Sequence, residues 1–494
     1  MARESTQLAV LGAGPGGYAA AFYAADLGMQ VALVDMEKNP GGVCLYRGCI
    51  PSKALLHVAK VIDESRHASA WGVTFSDPKV DLDKLRAFKQ GVVDKLTSGV
   101  GQVGRMRKVK FIQGRATLTG PKSMTIAGAD GDSELAFEHC ILATGSSPTR
   151  IPSLSLDSPR MMDSTSGLDL PDVPQSLLVI GGGYIGLELG TVYATLGSKV
   201  SVVEMTGGLL PGADRDLVNV LQKRLDKLFT RIMVNTKVVK VADGGRGIEV
   251  TLEGDTSGQQ LFDRVLVAVG RRPNSKIPGL EKTAVKIDQK GFIETDAQRR
   301  TSEPTMFAIG DVAGEPMLAH KASHEARVAV EAILGRKAVF APLAIPAVVF
   351  TDPEIAWAGL TEAQAQADGR DIEVAKFPWG ASGRAISIDR VDGLTKLVLD
   401  KKSGRILGVG IAGTGAGELI SEGVLAIEMG ATAEDMRLTI HPHPTLSETL
   451  MESAEVFFGQ STHVYKPKRN QAAHPEPNAA FEPTDLRADK PSSR

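Results

Sequence analysis

The stretch Gln7-Leu-Ala-Val-Leu11 followed by Gly12-Ala-Gly14-Pro-Gly-Gly17 decides the fold. A short buried strand runs into a glycine turn. An alanine-rich helical run follows to Leu27, and a second strand, Val31-Ala-Leu-Val34, closes on Asp35. The same order returns at Leu177-Leu-Val-Ile180, then Gly181-Gly-Gly183-Tyr-Ile-Gly186. Its helix runs to about Leu196, and the strand Val200-Ser-Val-Val203 ends at Glu204. From Gly12 to Asp35 and from Gly181 to Glu204 the distance is 23 residues in each case. This is the βαβ dinucleotide-binding pattern. The first glycine makes the turn, the second lets backbone approach a pyrophosphate, and the third packs helix on strand. The helix N-terminus offers N–H groups and partial positive charge to phosphates, and the acid accepts from ribose hydroxyls. One such motif is weak evidence; two in one register predict two dinucleotide sites. Each acid repels a 2′-phosphate and neither is followed closely by an Arg, so the expected ligands are of the kind of FAD and NAD rather than NADP. Glu37 could substitute for Asp35, but by then the chain should have left the strand.

Composition excludes several other functions. In 494 residues, 43% hydrophobic and 23% charged residues make an ordinary globular chain of several domains. Lys+Arg 56 against Asp+Glu 58 leaves a net charge of −2, which gives nucleic acid or an anionic membrane nothing to bind. Three cysteines exclude a disulfide-stapled secreted scaffold and suit a reducing cytosol. The uncharged run Gln7–Ala25 is long enough for a signal or membrane segment, yet glycines interrupt its middle. A cytoplasmic protein is expected.

A second chemistry lies in Gly41-Gly-Val-Cys44-Leu-Tyr-Arg-Gly-Cys49-Ile-Pro-Ser-Lys53. Five residues of regular helix rise about 7.5 Å, whereas a disulfide needs Cα atoms within about 7 Å. Cys44 and Cys49 can bridge only where the backbone departs from a helix, and Gly48 and Pro51 offer the places. Two buried free thiols are an alternative. A zinc site would want four ligands, and only Cys140 remains, so no metal is expected. Beside two dinucleotide sites the pair reads as a redox relay. The third site is His441-Pro-His443-Pro444-Thr-Leu-Ser-Glu448. A lone His–Glu pair is usually structural. Thiol–disulfide exchange, however, needs a proton acceptor near neutral pH, and a carboxylate can fix the imidazole tautomer. Pro444 makes a cis bond plausible.

From about Leu8 to Val464 the chain closely resembles the pyridine-nucleotide disulfide oxidoreductases, and among them those that act on dihydrolipoamide. The resemblance is carried by GGVCLYRGCIPSKALLH (Gly41–His57), ATGSSP (Ala143–Pro148) and GGGYIGLELG (Gly181–Gly190). It continues through VAVGRRPN (Val267–Asn274), FAIGDV (Phe307–Val312), MLAHKASHE (Met317–Glu325) and HPHPTLSE (His441–Glu448). It implies an α/β fold: two Rossmann-like dinucleotide-binding domains plus a C-terminal α+β dimerisation domain. Residues 1–149 would bind FAD, 150–276 NAD, 277–345 would complete the FAD site, and 346–465 would form the interface. The tail 466–494, rich in proline and charge, is expected to be disordered.

The resemblance also assigns roles. Cys44 would exchange with dihydrolipoamide, and Cys49 would face the flavin. Lys53 would lie at the flavin's reactive edge, paired with Glu188. Asp311 would accept from the ribityl chain and Ala319 would touch the isoalloxazine through its backbone. Gly114 and Ala116 match the flavin's adenine side; Val238 and Gly270 match the NAD adenosine side. Tyr184 matches an aromatic gate over the nicotinamide. His443 and Glu448 would act across a homodimer. The implied activity is reoxidation of protein-bound dihydrolipoamide with NAD⁺ in 2-oxo-acid dehydrogenase complexes, docked on their lipoyl domains and core. A reductase of another disulfide, or a subunit that mainly docks, are the rival readings. Arg47, where many relatives carry Val, is expected either to lower a thiol pKa or to be a plain surface residue.

Overall fold

The computed structural model describes residues 2–129 and 131–465; the expectation for 466–494 falls outside them. Alternation along the first strands builds the first core. Leu8, Val10, Val31 and Leu33 point to one face, under the helices Pro15–Asp26 and Ala319–Ile333. Ala9, Leu11, Ala32 and Val34 point to the other, against Leu118, Met124, Ile126 and Leu135 of an antiparallel meander. Strands Lys110–Gln113, Val31–Asp35, Ala2–Leu11 and Gly131–Leu142 lie parallel in that order. Met306–Ala308 adds a further parallel strand beyond the last. The first strand is longer than the apolar run predicts, because Ala2–Thr6 pairs with Ser133–Phe137 at the root of the meander.

The second unit repeats this plan. Five parallel strands run in the order Arg231–Met233, Lys199–Val203, Ser176–Ile180, Arg264–Val267, Met161–Met162. Leu177, Val179, Val200 and Val202 face helices Tyr184–Leu196 and Arg215–Leu228. Leu178, Ile180 and Val203 face Ile248, Val250 and Leu252 of a three-stranded antiparallel sheet. The repeat therefore extends past the glycine motifs to the layer on the far face.

A third, antiparallel sheet orders Ala347–Val349, Glu354–Gly359, Ile406–Gly413, Leu394–Asp400 and Ile372–Pro378. Helices Ala416–Glu428 and Glu448–Phe458 cover it around a core that includes Trp379, Phe377 and Ile411. This unit leaves Leu425, Met429, Leu438 and Ile440 exposed. Among the described residues no helix is long and apolar enough to cross a membrane.

Candidate active site

The two glycine turns form as their spacing requires. Gly12 and Gly181 have φ of +97° and +108°, and a Cβ on either would lie 2.4 Å from the carbonyl oxygen of Ala143 or Ala268. A Cβ on Gly17 would stand 1.8 Å from Gly12 O, and one on Gly186 2.3 Å from Gly181 O, so only glycine lets these helices seat on their strands. Each acid ties its own turn. Asp35 Oδ2 accepts from Ala13 N at 2.6 Å, and Glu204 Oε2 from Gly182 N at 2.8 Å. A carboxylate has about four acceptor positions, so both acids keep capacity for ribose hydroxyls.

The redox segment leaves regular helix at Gly48. Helix Gly42–Arg47 stops there and Cys49–His67 begins. A Cβ on Gly48 would meet Val43 O at 2.9 Å, so the tight turn needs a glycine. Pro51 is not a break: it lies in the first helical turn, where its missing N–H leaves no bond unmade. Cys44 and Cys49 are free thiols hydrogen-bonded to one another. That bond, then the Lys53 charge, lowers the Cys49 thiol to about 7 against the pull of burial. The same bond, with burial, raises Cys44, so the negative charge of the pair settles on Cys49. Cys140 is fully buried and pushed up to about 12, an inert core thiol.

Lys53 Nζ donates to Glu188 Oε2 at 2.9 Å and Oε1 at 3.2 Å, and sits 4.4 Å from the centre of the Phe350 ring. Glu188 is almost fully buried and accepts a further bond from Phe350 N at 3.0 Å. Gly12, Gly14, Asp35, both cysteines, Lys53, Tyr184, Glu188, Asp311 and Ala319 line one cavity of about 550 Å³ between the two units. In its floor Gly14 and Gly42 approach so closely that a Cβ on Gly42 would lie 2.5 Å from Gly14 Cα.

Residues that the sequence did not single out hold this site. Arg271 donates to Ser146 Oγ and Ser146 O, both at 2.7 Å, and Ser146 Oγ donates to Asp311 Oδ2 at 2.5 Å. Behind Asp311, buried Glu325 accepts from Gly310 N at 2.6 Å and from Arg299 at 2.9 Å, with Lys321 at 3.1 Å. Arg271, Lys321 and Glu325 lie in quoted motifs, but nothing local marks them as supports.

The remaining predicted residues lie outside the cavity. Gly114 N donates to Asp35 O at 2.8 Å, Ala116 is buried in the first core, and Val238 packs on the core of the second unit. Gly270 has φ of +104° and its carbonyl accepts from Thr149 N at 3.0 Å. Gly181, Gly183, Gly186 and Glu204 form the second turn. His443 is 72% exposed at its side chain and is not among the residues lining the thiol cavity, with Nδ1 2.9 Å from Glu448 Oε1. Burial opposes the Glu448 charge, but the Thr445 N–H at 2.7 Å and His443 outweigh it and hold its carboxyl below the ordinary range. The His443–Pro444 bond is cis. Among the described residues, the acids close enough to hold a metal ion, Asp214, Asp216 and Glu362, instead surround Lys396 Nζ at 2.6, 2.9 and 2.6 Å.

Comparison with known proteins agrees with this geometry. Residues 6–326 match the family described as pyridine nucleotide-disulphide oxidoreductase, and residues 345–454 match its dimerisation domain. The chain belongs to the pyridine nucleotide-disulphide oxidoreductases. It is 49% identical to a dihydrolipoyl dehydrogenase of Vibrio cholerae over 94% of this chain and 98% of that one. Identity is 48% to that of Haemophilus influenzae, over 95% and 99%, and 44% to that of Geobacillus stearothermophilus, over 93% and 97%. Among solved structures, LpdA of Mycobacterium tuberculosis superposes with a TM-score of 0.85 at 26% identity, covering 92% of this chain and 100% of that one. The flavoprotein disulfide reductase RclA of Escherichia coli, in its Cu(II) complex, gives 0.83 at 26%, over 92% and 99%. Membership implies a flavin and a pyridine nucleotide, and the matched dimerisation domain implies a homodimer.

Proposed function

We propose that this oxidoreductase is a cytoplasmic dihydrolipoyl dehydrogenase that reoxidises protein-bound dihydrolipoamide, with NAD⁺ as final acceptor, for 2-oxo-acid dehydrogenase complexes. The observation that carries it is the thiol pair in one cavity with Lys53–Glu188, while His443, paired with Glu448, stands exposed and does not line that cavity. An exposed base outside its own chain's thiol cavity is placed to serve the thiols of a second copy, which makes the dimer the catalytic unit.

The cycle starts from a Cys44–Cys49 disulfide. His443 of the partner subunit takes the proton of one dihydrolipoyl thiol, with Glu448 fixing its tautomer. The thiolate attacks Cys44 Sγ, the S–S bond breaks, and Cys49 leaves as a thiolate beside Lys53. Cys44, whose raised pKa suits it to keep a proton, takes the one held on His443 as it is released, and the base so restored accepts the proton of the second substrate thiol, whose sulfur closes lipoamide. The substrate loses two electrons and the cysteine pair gains them. FAD, when bound between the Gly12–Gly17 turn, Asp35 and the Asp311–Ala319 side, supplies the path for that electron pair to NAD⁺. Gly114 and Ala116 would back its adenine side. NAD would take Gly181, Gly183, Gly186, Glu204, Val238 and Gly270. Arg215, near that turn, donates to Leu209, Leu210 and Ala213 carbonyls, which favours NAD over NADP. On this reading residues 1–149 bind FAD, 150–276 bind NAD, 277–345 complete the FAD site and 346–465 form the interface. Anaerobic titration with dihydrolipoamide tests it: thiolate-to-flavin charge-transfer absorbance appears in the native protein and is lost in Cys49→Ser. Protein that purifies without flavin, or no such band, rejects the reading.

A further inference from the structure

Arg47 is the one charged residue between the cysteines, and the cycle above leaves it unused. The charges that act most on Cys49 are those of Lys53 and Glu188, not that of Arg47. Its guanidinium instead pairs with the Glu37 carboxylate. Glu37 follows the strand Val31–Asp35, its N–H donating to Asp35 Oδ1 at 2.9 Å. Arg47 ends helix Gly42–Arg47, which carries Cys44. Both side chains line the cavity that contains Gly12, Gly14 and Asp35. At 41% and 27% side-chain exposure they stand at its mouth. The ion pair thus joins two walls, the strand end with the ribose acid and the helix with the first thiol. Two bonds brace that join: Tyr46 Oη donates to Asn39 O at 3.1 Å and Gly41 N to Ala13 O at 2.8 Å.

We propose that Glu37–Arg47 is a strap across the adenosine end of the flavin site, retaining the cofactor rather than tuning the thiols. It rests on the reading that this cavity takes flavin. A dinucleotide lying between the glycine turn and Asp35 leaves by the mouth these side chains span. Opening that mouth breaks a charge-assisted, two-sided contact. Loss of Arg47 alone would also leave the Glu37 carboxylate facing a diphosphate.

The test is flavin release from the holoprotein at fixed temperature, followed as the rise in flavin fluorescence. An ion pair of this exposure corresponds to a change of up to about fivefold, so Arg47→Ala and Glu37→Gln each speed release by about two- to fivefold. The double variant is no faster than the faster single one, because both remove the same contact. Arg47→Lys keeps the pair and stays near the native rate. The pH profile of Cys49 alkylation in Arg47→Ala superimposes on the native one. Unchanged release rates, single effects that multiply, or slower release in Glu37→Gln overturn the strap; the last would mean Arg47 binds diphosphate directly. A shifted alkylation profile returns Arg47 to thiol chemistry. Native protein that purifies without flavin overturns the reading of the cavity instead, a separate outcome.

Discussion

The two glycine-rich units are near copies in backbone and unlike in what they add. In each, an acid at the strand end ties the residue after the first glycine, at 2.6 Å from Asp35 and 2.8 Å from Glu204. The extra methylene of Glu204 is absorbed by burial, and its other oxygen takes both the N–H and O–H of Thr206 at 2.8 Å. After its acid the first unit inserts the thiol-bearing helices, while the second returns through Arg215–Leu228, which has no cysteine. Yet the second unit reaches the thiol cavity, since Glu188 on its helix pairs with Lys53. Duplication supplied the scaffold. On the proposed function, reactivity lies where one copy's insertion meets the other copy's helix.

If so, the base belongs to neither copy, and its loss separates the half-reactions. His443→Ala should slow dihydrolipoamide oxidation by about 10²–10⁴-fold while NADH reduction of a flavin-reactive dye stays near native. Stopped-flow and dye assays on one preparation decide it, and equal loss of both would make His443 structural. Next in size is a pair of lesions in the shared scaffold. A Cβ at Gly17 or Gly186 overpacks helix on strand, at a cost of about 1–3 kcal/mol or more. Gly17→Ala should be the worse, since its contact distance is 1.8 Å against 2.3 Å. Thermal unfolding should rank them in that order, with bound flavin lost first in Gly17→Ala. The reverse order would break the equivalence of the turns.

What could be read from sequence, and what could not, follows the same division. The turns, both acids and the thiol segment are local: their spacing is fixed by helix rise and strand exit, and the structure holds them as that spacing requires. Gly48 and Pro51 looked equivalent as breaks, and only the helix start showed that Pro51 continues the helix. The Phe350 N–H on Glu188 spans 162 residues and the Ser146–Asp311 bond 165, and no periodicity records such closures. Arg47 was legible as unusual but not as Glu37's partner, because a charge pair across a loop carries no spacing rule.

A smaller effect sharpens the contact between the copies. Lys53 lowers the Cys49 thiol and Glu188 raises it, so their variants should move it in opposite directions. Lys53→Ala should slow Cys49 alkylation at pH 7 by about three- to tenfold, and Glu188→Gln should speed it. Shifts of the same sign would mean that the pair acts through packing alone.

The smallest expected effect lies in the dimerisation unit, on the loop that carries the proposed base, His443. His441 Nε2 is 2.6 Å from Glu422 Oε1 and its Nδ1 is 2.8 Å from Thr439 O. Both ring nitrogens face acceptors, so the ring is satisfied only as the imidazolium. The Glu422 bond, first among the causes, raises its pKa above 6.5. A raised folded pKa contributes stability that is fully present below the unfolded value and lost as pH rises through the folded one. The native protein should therefore lose a small increment of thermal stability above neutral pH that His441→Asn does not show. Glu422→Gln should move that loss down toward pH 6.5. Because His441 and His443 are two residues apart on one loop, the same titration should loosen the base without touching either glycine turn. Flavin content constant across that pH range, with falling dihydrolipoamide turnover, is the expected pattern; flavin loss in step with turnover would place the titrating group in the scaffold instead.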